Sequence, residues 1–177
     1  MKTSIFLLFL AGISFAAETK TIRADLLPAA ARKPAPAFHL ENAGETHLRN
    51  ADFRGKVVLL DFWATECGGR RLEIPSFIAL QKTYGKRGLA AVGVSINVSY
   101  ENLKTAGEAW ARVNPFVRDN GINYTILMGD GAVTKAYDIQ ALPATYLIDK
   151  SGRIAATYVG IVNSDDIEAN NRKLLSE

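Results

Sequence analysis

A single cysteine lies where an apolar strand runs into a glycine-rich turn, and this feature constrains the chain most. Residues 57–75 read VVLLDFWATECGGRRLEIP. A dithiol redox site needs a second cysteine three residues after the first, so that one thiol attacks and the other resolves. That position is Arg70, and Cys67 is the only cysteine among the 177 residues. The pattern predicts a redox-type scaffold that cannot resolve a mixed disulfide within the chain.

The bulk composition is that of one globular domain with a full core. Hydrophobic residues make up 48% of the chain and charged residues 22%. The formal net charge is +3, and it falls to +2 without residues 1–16, where Lys2 is the only charged residue. So small an excess gives no reason to expect a nucleic-acid partner. No segment after residue 16 is apolar enough to predict stable membrane insertion.

The first 16 residues have the pattern of a cleavable signal peptide. Lys2 supplies a positive start, residues 5–13 are apolar, and Ser14 and Ala16 are the small residues that precede a cut after Ala16. The apolar run is too short to cross a bilayer. We therefore predict export to the periplasm or another extracytoplasmic compartment, which is oxidising. A lone thiol there indicates intermolecular pairing or reactivity.

The rest of the chain divides into a linker and a domain. Residues 17–37 are rich in alanine and proline, which predicts an extended linker. Residues 38–177 alternate apolar strands with helical stretches, which predicts an α/β domain with a mixed central sheet flanked by helices. The expected elements are a hairpin at 38–48, buried strands at 57–60 and 89–96, a helix up to about 85, a helical region at 100–120 broken at Pro115, a hairpin at 145–159 and a helix at 164–175.

Two separated motifs carry a family resemblance. The runs FRGKVVLLDFWATECGGRRLEIP and ALPATYLIDKSGRI resemble, in order and spacing, the TlpA-like and ResA-like thiol–disulfide oxidoreductases of the thioredoxin superfamily. The resemblance covers about residues 34–175. It implies a thioredoxin-like three-layer sandwich with an N-terminal hairpin and a central insertion, related to the AhpC/TSA redoxins. It also implies partners that are protein thiols or disulfides outside the cytoplasm, and no cofactor.

The chain departs from that family's pattern at two positions. Arg70 replaces the resolving cysteine, and Glu66 replaces the aromatic residue that usually precedes the first cysteine. Cys67 is expected near a helix start, where unpaired N–H groups, Arg70 and Arg71 favour the thiolate, while Glu66 opposes it. The alternative is an inert cysteine inherited from an ancestor with two cysteines.

The resemblance assigns further residues to the site. Asp61 and Glu73 occupy the positions of carboxylates that help to move protons, a role that suits a buried carboxyl. The alternative for Glu73 is a structural ion pair with Arg70 or Lys56. The remaining motif residues are Trp63, Gly68 and Gly69.

The second motif contains the family's cis-proline loop at Leu142 and Pro143. In the family this loop faces the cysteine and receives extended substrate chain, so we predict a cis bond here. The two histidines, His39 and His47, flank the N-terminal hairpin. With no second cysteine near them, we predict no metal site.

Three functions are compatible with these residues. The leading prediction is slow monothiol exchange or mixed-disulfide formation through Cys67, with an external thiol needed for release. The alternative is a non-enzymatic binding module with a degenerate site. A weak thiol peroxidase ranks third, because the peroxiredoxin pattern Pro-x-x-x-Thr-x-x-Cys fails at Leu60 and Ala64.

Overall fold

The computed structural model describes residues 19–177, and the predicted signal peptide lies outside them. Eight strands are present in this part of the chain: β1 (Lys33–Pro34), β2 (His39–Asn42), β3 (His47–Arg49), β4 (Val57–Trp63), β5 (Leu89–Ser95), β6 (Thr125–Met128), β7 (Ala144–Ile148) and β8 (Arg153–Val159). The helices are α1 (Arg70–Tyr84), α2 (Asn97–Tyr100), α3 (Ala106–Asp119), α4 (Gly131–Ala136) and α5 (Ser164–Ser176), with short 3-10 turns at Ala29–Ala31, Asn50–Phe53 and Gly85–Arg87.

All eight strands form one mixed sheet, in the order β1-β8-β7-β4-β5-β6-β2-β3. Strands β4, β5 and β6 are parallel, and the other pairings are antiparallel. The central strands β4 and β5 are buried along their whole length, as their continuous apolar sequences predict. The predicted α/β thioredoxin-like class, with its N-terminal hairpin β2–β3 and its insertion between β5 and β6, is confirmed.

The core is split by the sheet, because successive side chains of a strand point to opposite faces. Leu60 and Phe62 face the hairpin and α4, where Phe38 and Tyr137 pack. The odd-numbered residues of β4 face the other side, where α1, α5 and, at the end of the strand, α3 cover them. This alternation places Asp61 and Trp63 beneath the start of α1, on the side where the candidate site forms.

Helix α3 continues through Pro115, where the sequence predicted a break. Proline removes one N–H from the helix ladder, and the carbonyl left without a partner is that of Ala111. Ala111 is exposed, so water can donate to this carbonyl and the helix does not need to end. Its start is fixed by Thr105, whose hydroxyl accepts a hydrogen bond from the Glu108 amide at 3.1 Å.

The part of the predicted linker that the structure describes, residues 19–37, is extended but lies along the domain. The Ile22 amide donates to the Ile161 carbonyl at 2.7 Å, and strand β1 pairs with β8. Arg32 is buried between the carboxylates of Asp149, at 3.1 Å, and Glu177, at 2.5 Å. The composition predicted an extended linker, and this ion-pair cluster docks the described part of it on the domain. Within residues 19–177, no helix has the length and apolar character needed to cross a bilayer.

Candidate active site

Cys67 lies in the turn between β4 and α1, two residues before the helix N-cap Gly69. Its N–H donates to the Ala64 carbonyl at 3.1 Å, and its carbonyl accepts from the Arg70 amide at 3.2 Å. The thiol-bearing residue is 7% exposed. The conformation of the turn therefore controls how a partner reaches the sulfur.

Arg70 points into the protein rather than toward solvent beside the cysteine. It is 1% exposed, and its Nη1 donates to Asp61 Oδ2 at 2.5 Å. The guanidinium carbon lies 3.4 Å from the centroid of the Trp63 ring, and Nη2 donates to the Tyr124 hydroxyl at 3.4 Å. A planar, delocalised cation suits such a stacked and buried position. Arg70, which was expected together with Arg71 to favour the Cys67 thiolate, is therefore paired with the buried carboxylate of Asp61.

Glu73 is buried in the same region but makes no ion pair with a described residue, so the alternative of a structural pair with Arg70 or Lys56 does not hold. Its Oε1 accepts from the Val162 amide at 2.8 Å, while its Oε2 has no hydrogen-bond partner among the described residues. Burial, and after it the nearby Asp61 charge, raise the pKa of Glu73 to about 8.

The two carboxyls differ in their contact with the Arg70 guanidinium, which pairs with Asp61 and not with Glu73. Burial also raises the pKa of Asp61, but its direct contact with Arg70 opposes this effect. Because Asp61 touches the cation and Glu73 does not, the pair keeps its negative charge on Asp61 and its proton on Glu73 near neutral pH. The site thus contains a buried, protonated carboxyl next to a neutralised ion pair.

Replacement of Glu73 should change how stability depends on pH. The folded chain holds a proton on Glu73 up to about pH 8, whereas the ordinary pKa of an exposed glutamate is 4.5. The wild-type free energy of unfolding should therefore fall with rising pH across this window, by roughly 1.4 kcal/mol per pH unit from this group. Glu73→Gln keeps an oxygen that accepts from the Val162 amide but has no carboxyl to titrate. Its free energy of unfolding, measured by urea titrations at pH 5–8, should therefore lack the fall that Glu73 causes. Glu66→Gln, which removes an exposed carboxyl, is the control, and parallel wild-type and Glu73→Gln curves would contradict the assignment.

The Leu142–Pro143 bond is cis, as the resemblance implies. The Pro143 carbonyl accepts from the Gly160 amide at 2.9 Å. A Cβ atom built on Gly69 would lie 3.0 Å from the Ile161 side chain and 3.5 Å from the Pro143 ring, whereas one built on Gly68 would meet nothing within 4 Å. Glycine at position 69 therefore lets the cysteine turn lie against the cis-proline loop.

His39 and His47 lie outside this site. Their rings are 4.8 Å apart on the exposed face of the β2–β3 hairpin. Among residues 19–177, no group of three or more histidine, cysteine, aspartate or glutamate side chains is arranged to hold a metal ion.

Sequence reasoning missed several polar residues that surround the turn. Thr145 donates to Asp61 at 3.4 Å, and Tyr124, whose pKa burial raises, lies beside Arg70. Thr145 could have been noticed as a polar residue in the otherwise apolar strand ATYLI. Thr65, two residues before Cys67, is hydrogen-bonded to Asn97 in the segment after β5. Nothing in the sequence spacing linked these two residues.

A cysteine at a strand-to-helix turn beside a cis-proline loop, on a mixed sheet of this order, defines a thioredoxin-fold protein of the thiol–disulfide type. The comparisons with known proteins agree. Residues 31–157 match the AhpC/TSA family, and the chain belongs to it as a ResA-like redoxin.

The similar proteins cover between 76% and 95% of the chain. Thiol-disulfide oxidoreductase ResA of Geobacillus kaustophilus is 31% identical over 169 residues, which is 95% of this chain and 91% of the relative. Thioredoxin-like protein YneN of Bacillus subtilis is 31% identical over 76% of this chain and 74% of its own length. Among solved structures, a thioredoxin-family thiol:disulfide interchange protein from Chlorobium tepidum aligns with a TM-score of 0.70 and 26% identity, over 84% of this chain and 99% of that one. A secreted thiol-disulfide isomerase from Corynebacterium glutamicum, at 22% identity and a TM-score of 0.73 over 92% and 96% of the chains, shows the same fold.

Proposed function

We propose that this protein exchanges disulfides with exported partner proteins through Cys67 alone and depends on an external thiol for release. The proposal rests on the position of Arg70. This residue replaces the resolving cysteine, and its side chain is buried against Asp61. The chain keeps the turn, the cysteine and the cis-proline loop, but it has no second thiol. The signal-peptide pattern of residues 1–16 supports action outside the cytoplasm.

The exchange proceeds in three balanced steps. The Cys67 thiolate attacks one sulfur of a partner disulfide, so that a Cys67–partner disulfide forms and the second partner sulfur leaves as a thiolate. A small external thiolate then attacks the partner sulfur of this mixed disulfide, so that a disulfide between the partner and the small thiol forms and Cys67 leaves as a thiolate. A second equivalent of the small thiol attacks that disulfide, so that the oxidised small disulfide forms, the partner sulfur leaves as a thiolate, and the partner has gained two electrons. Glu73, with its proton and its free Oε2, is the candidate proton source for the departing sulfur.

The test is stoichiometric capture. Wild-type protein incubated with a peptide disulfide should gain one peptide mass per chain, bound at Cys67, because the adduct cannot resolve internally. Cys67→Ser should gain none. Insulin reduction in dithiothreitol should meanwhile stay far below that of an intact Cys-x-x-Cys thioredoxin, because each release step depends on the external thiol. Efficient insulin turnover by wild type, or the absence of any adduct, would contradict the proposal.

A specific observation favours the binding-module alternative. Leu72 in the first turn of α1 and Val159 at the end of β8 are both more than half exposed. Val159 pairs with Ala144, the residue after Pro143, so apolar surface lies beside the loop that would hold extended chain. If Cys67→Ser binds a reduced peptide as tightly as wild type does, and wild type forms no adduct, this alternative is the better account.

A further inference from the structure

The segment between β5 and β6 contacts the cysteine turn through buried polar side chains. Asn97, which is fully buried, accepts from the Thr65 amide at 3.2 Å through Oδ1. Its Nδ2 donates to the Thr65 hydroxyl at 2.7 Å. Since Thr65 lies two residues before Cys67, the insertion holds the turn by both the backbone and the side chain of one residue.

Glu101 completes this group. Its Oε1 accepts from the Thr65 hydroxyl at 2.7 Å and from Asn97 Nδ2 at 2.5 Å. Its Oε2 accepts from Nη1 of Arg112, on α3, at 2.5 Å. The Glu101 side chain is 6% exposed, whereas Arg112 is 53% exposed. A buried carboxylate with three donors forms a rigid connection, because losing any one donor leaves part of its desolvation cost uncompensated.

We propose that Glu101 is a positioning residue for Cys67: it fixes Thr65, and through Thr65 the turn, in the geometry needed to attack a partner disulfide. This inference rests on the proposed exchange function and extends it to the insertion. Attack on a disulfide requires alignment with the sulfur–sulfur bond, and a small misplacement of the nucleophile lowers the rate greatly. With Cys67 mostly buried, the turn has little freedom to correct such a misplacement.

The experiment compares two reactions of Cys67 in the full chain. Mixed-disulfide formation with a peptide disulfide depends on alignment, whereas alkylation by iodoacetamide reports general access to the thiol. In Glu101→Ala and in Thr65→Val the ratio of the first rate to the second should fall about 10-fold. Glu101→Gln keeps an oxygen for Thr65 and should retain most of the ratio. Arg118→Gln is the matched control, because among residues 19–177 Arg118 pairs only with the exposed Asp119 on the same helix.

Hydrogen exchange of the Thr65 amide gives a second readout that needs no partner. This exchange should be faster in Glu101→Ala than in wild type and unchanged in Arg118→Gln. The proteins are compared under conditions that give each the same free energy of unfolding, so that the exchange reports local opening. The inference is overturned if Glu101→Ala and Thr65→Val keep the wild-type rate ratio, or if Thr65 exchange does not change. If Glu101→Ala fails to fold, Thr65→Val decides. If wild type forms no mixed disulfide, the proposed function fails, while amide exchange still decides whether Glu101 holds the turn.

Discussion

Replacing Arg70 by methionine should destabilise the protein by about 3–5 kcal/mol at neutral pH. The variant leaves Asp61, which is 1% exposed, without its cation, and only the weak Thr145 contact remains. A buried carboxyl without a partner has a raised pKa, so the folded variant binds a proton that the unfolded chain has lost. Since Arg70 no longer opposes this rise in pKa, the loss of stability relative to wild type should grow as the pH rises toward 7.

Urea denaturation of four proteins measures this effect. Adding Asp61→Asn to Arg70→Met should recover much of the lost stability, because the double variant has no buried charge left unpaired. Arg118→Ala breaks the exposed pair with Asp119 and should cost less than about 1 kcal/mol. An Arg70→Met variant within 1 kcal/mol of wild type would show that the buried pair is not a major element of the fold.

Arg70→Cys should convert the site into one that turns over. Residue 70 follows Cys67 by three positions and donates its amide to the Cys67 carbonyl at 3.2 Å, so the two side chains start from a single tight turn. We expect insulin reduction at least about 10-fold above wild type, because the second thiol resolves the mixed disulfide. The same substitution removes the partner of Asp61 and destabilises the fold. The double variant with Asp61→Asn should therefore give the clearer gain.

A control variant tests a gain in turnover, and formation of the 67–70 disulfide decides what the absence of a gain means. Cys67→Ser combined with Arg70→Cys should lose the gain, because the attacking thiol is absent. If Arg70→Cys folds and forms the 67–70 disulfide but gains no turnover, residues other than Arg70 also account for the missing activity. The binding-module alternative would then be favoured.

The sequence could predict the parts of the site that depend on local pattern. The buried strands β4 and β5 follow from continuous apolar runs, and the cis bond at Pro143 follows from a motif. The buried orientation of the Arg70 side chain could not be predicted, because an arginine that follows two glycines is expected to be exposed to solvent. Only the fold places Asp61 and the Trp63 ring beneath it.

Long-range polar contacts account for the other differences. The docking of residues 19–37 depends on Arg32 meeting Asp149 and Glu177, which lie more than 110 positions away. The link from Glu101 to Thr65 likewise joins positions 36 apart. No period or spacing in the chain encodes such pairs, since each depends on how the sheet order brings distant segments together.

The lifetime of the mixed disulfide distinguishes single-cysteine exchange from resolution within the chain. Wild type is first loaded with one peptide at Cys67, freed of excess reagent, and followed by mass spectrometry with and without an added small thiol. We expect an adduct that persists in the absence of thiol and is released at a rate proportional to thiol concentration, whereas Arg70→Cys should release its peptide without added thiol. Release from wild type at a rate independent of added thiol would contradict the single-cysteine mechanism.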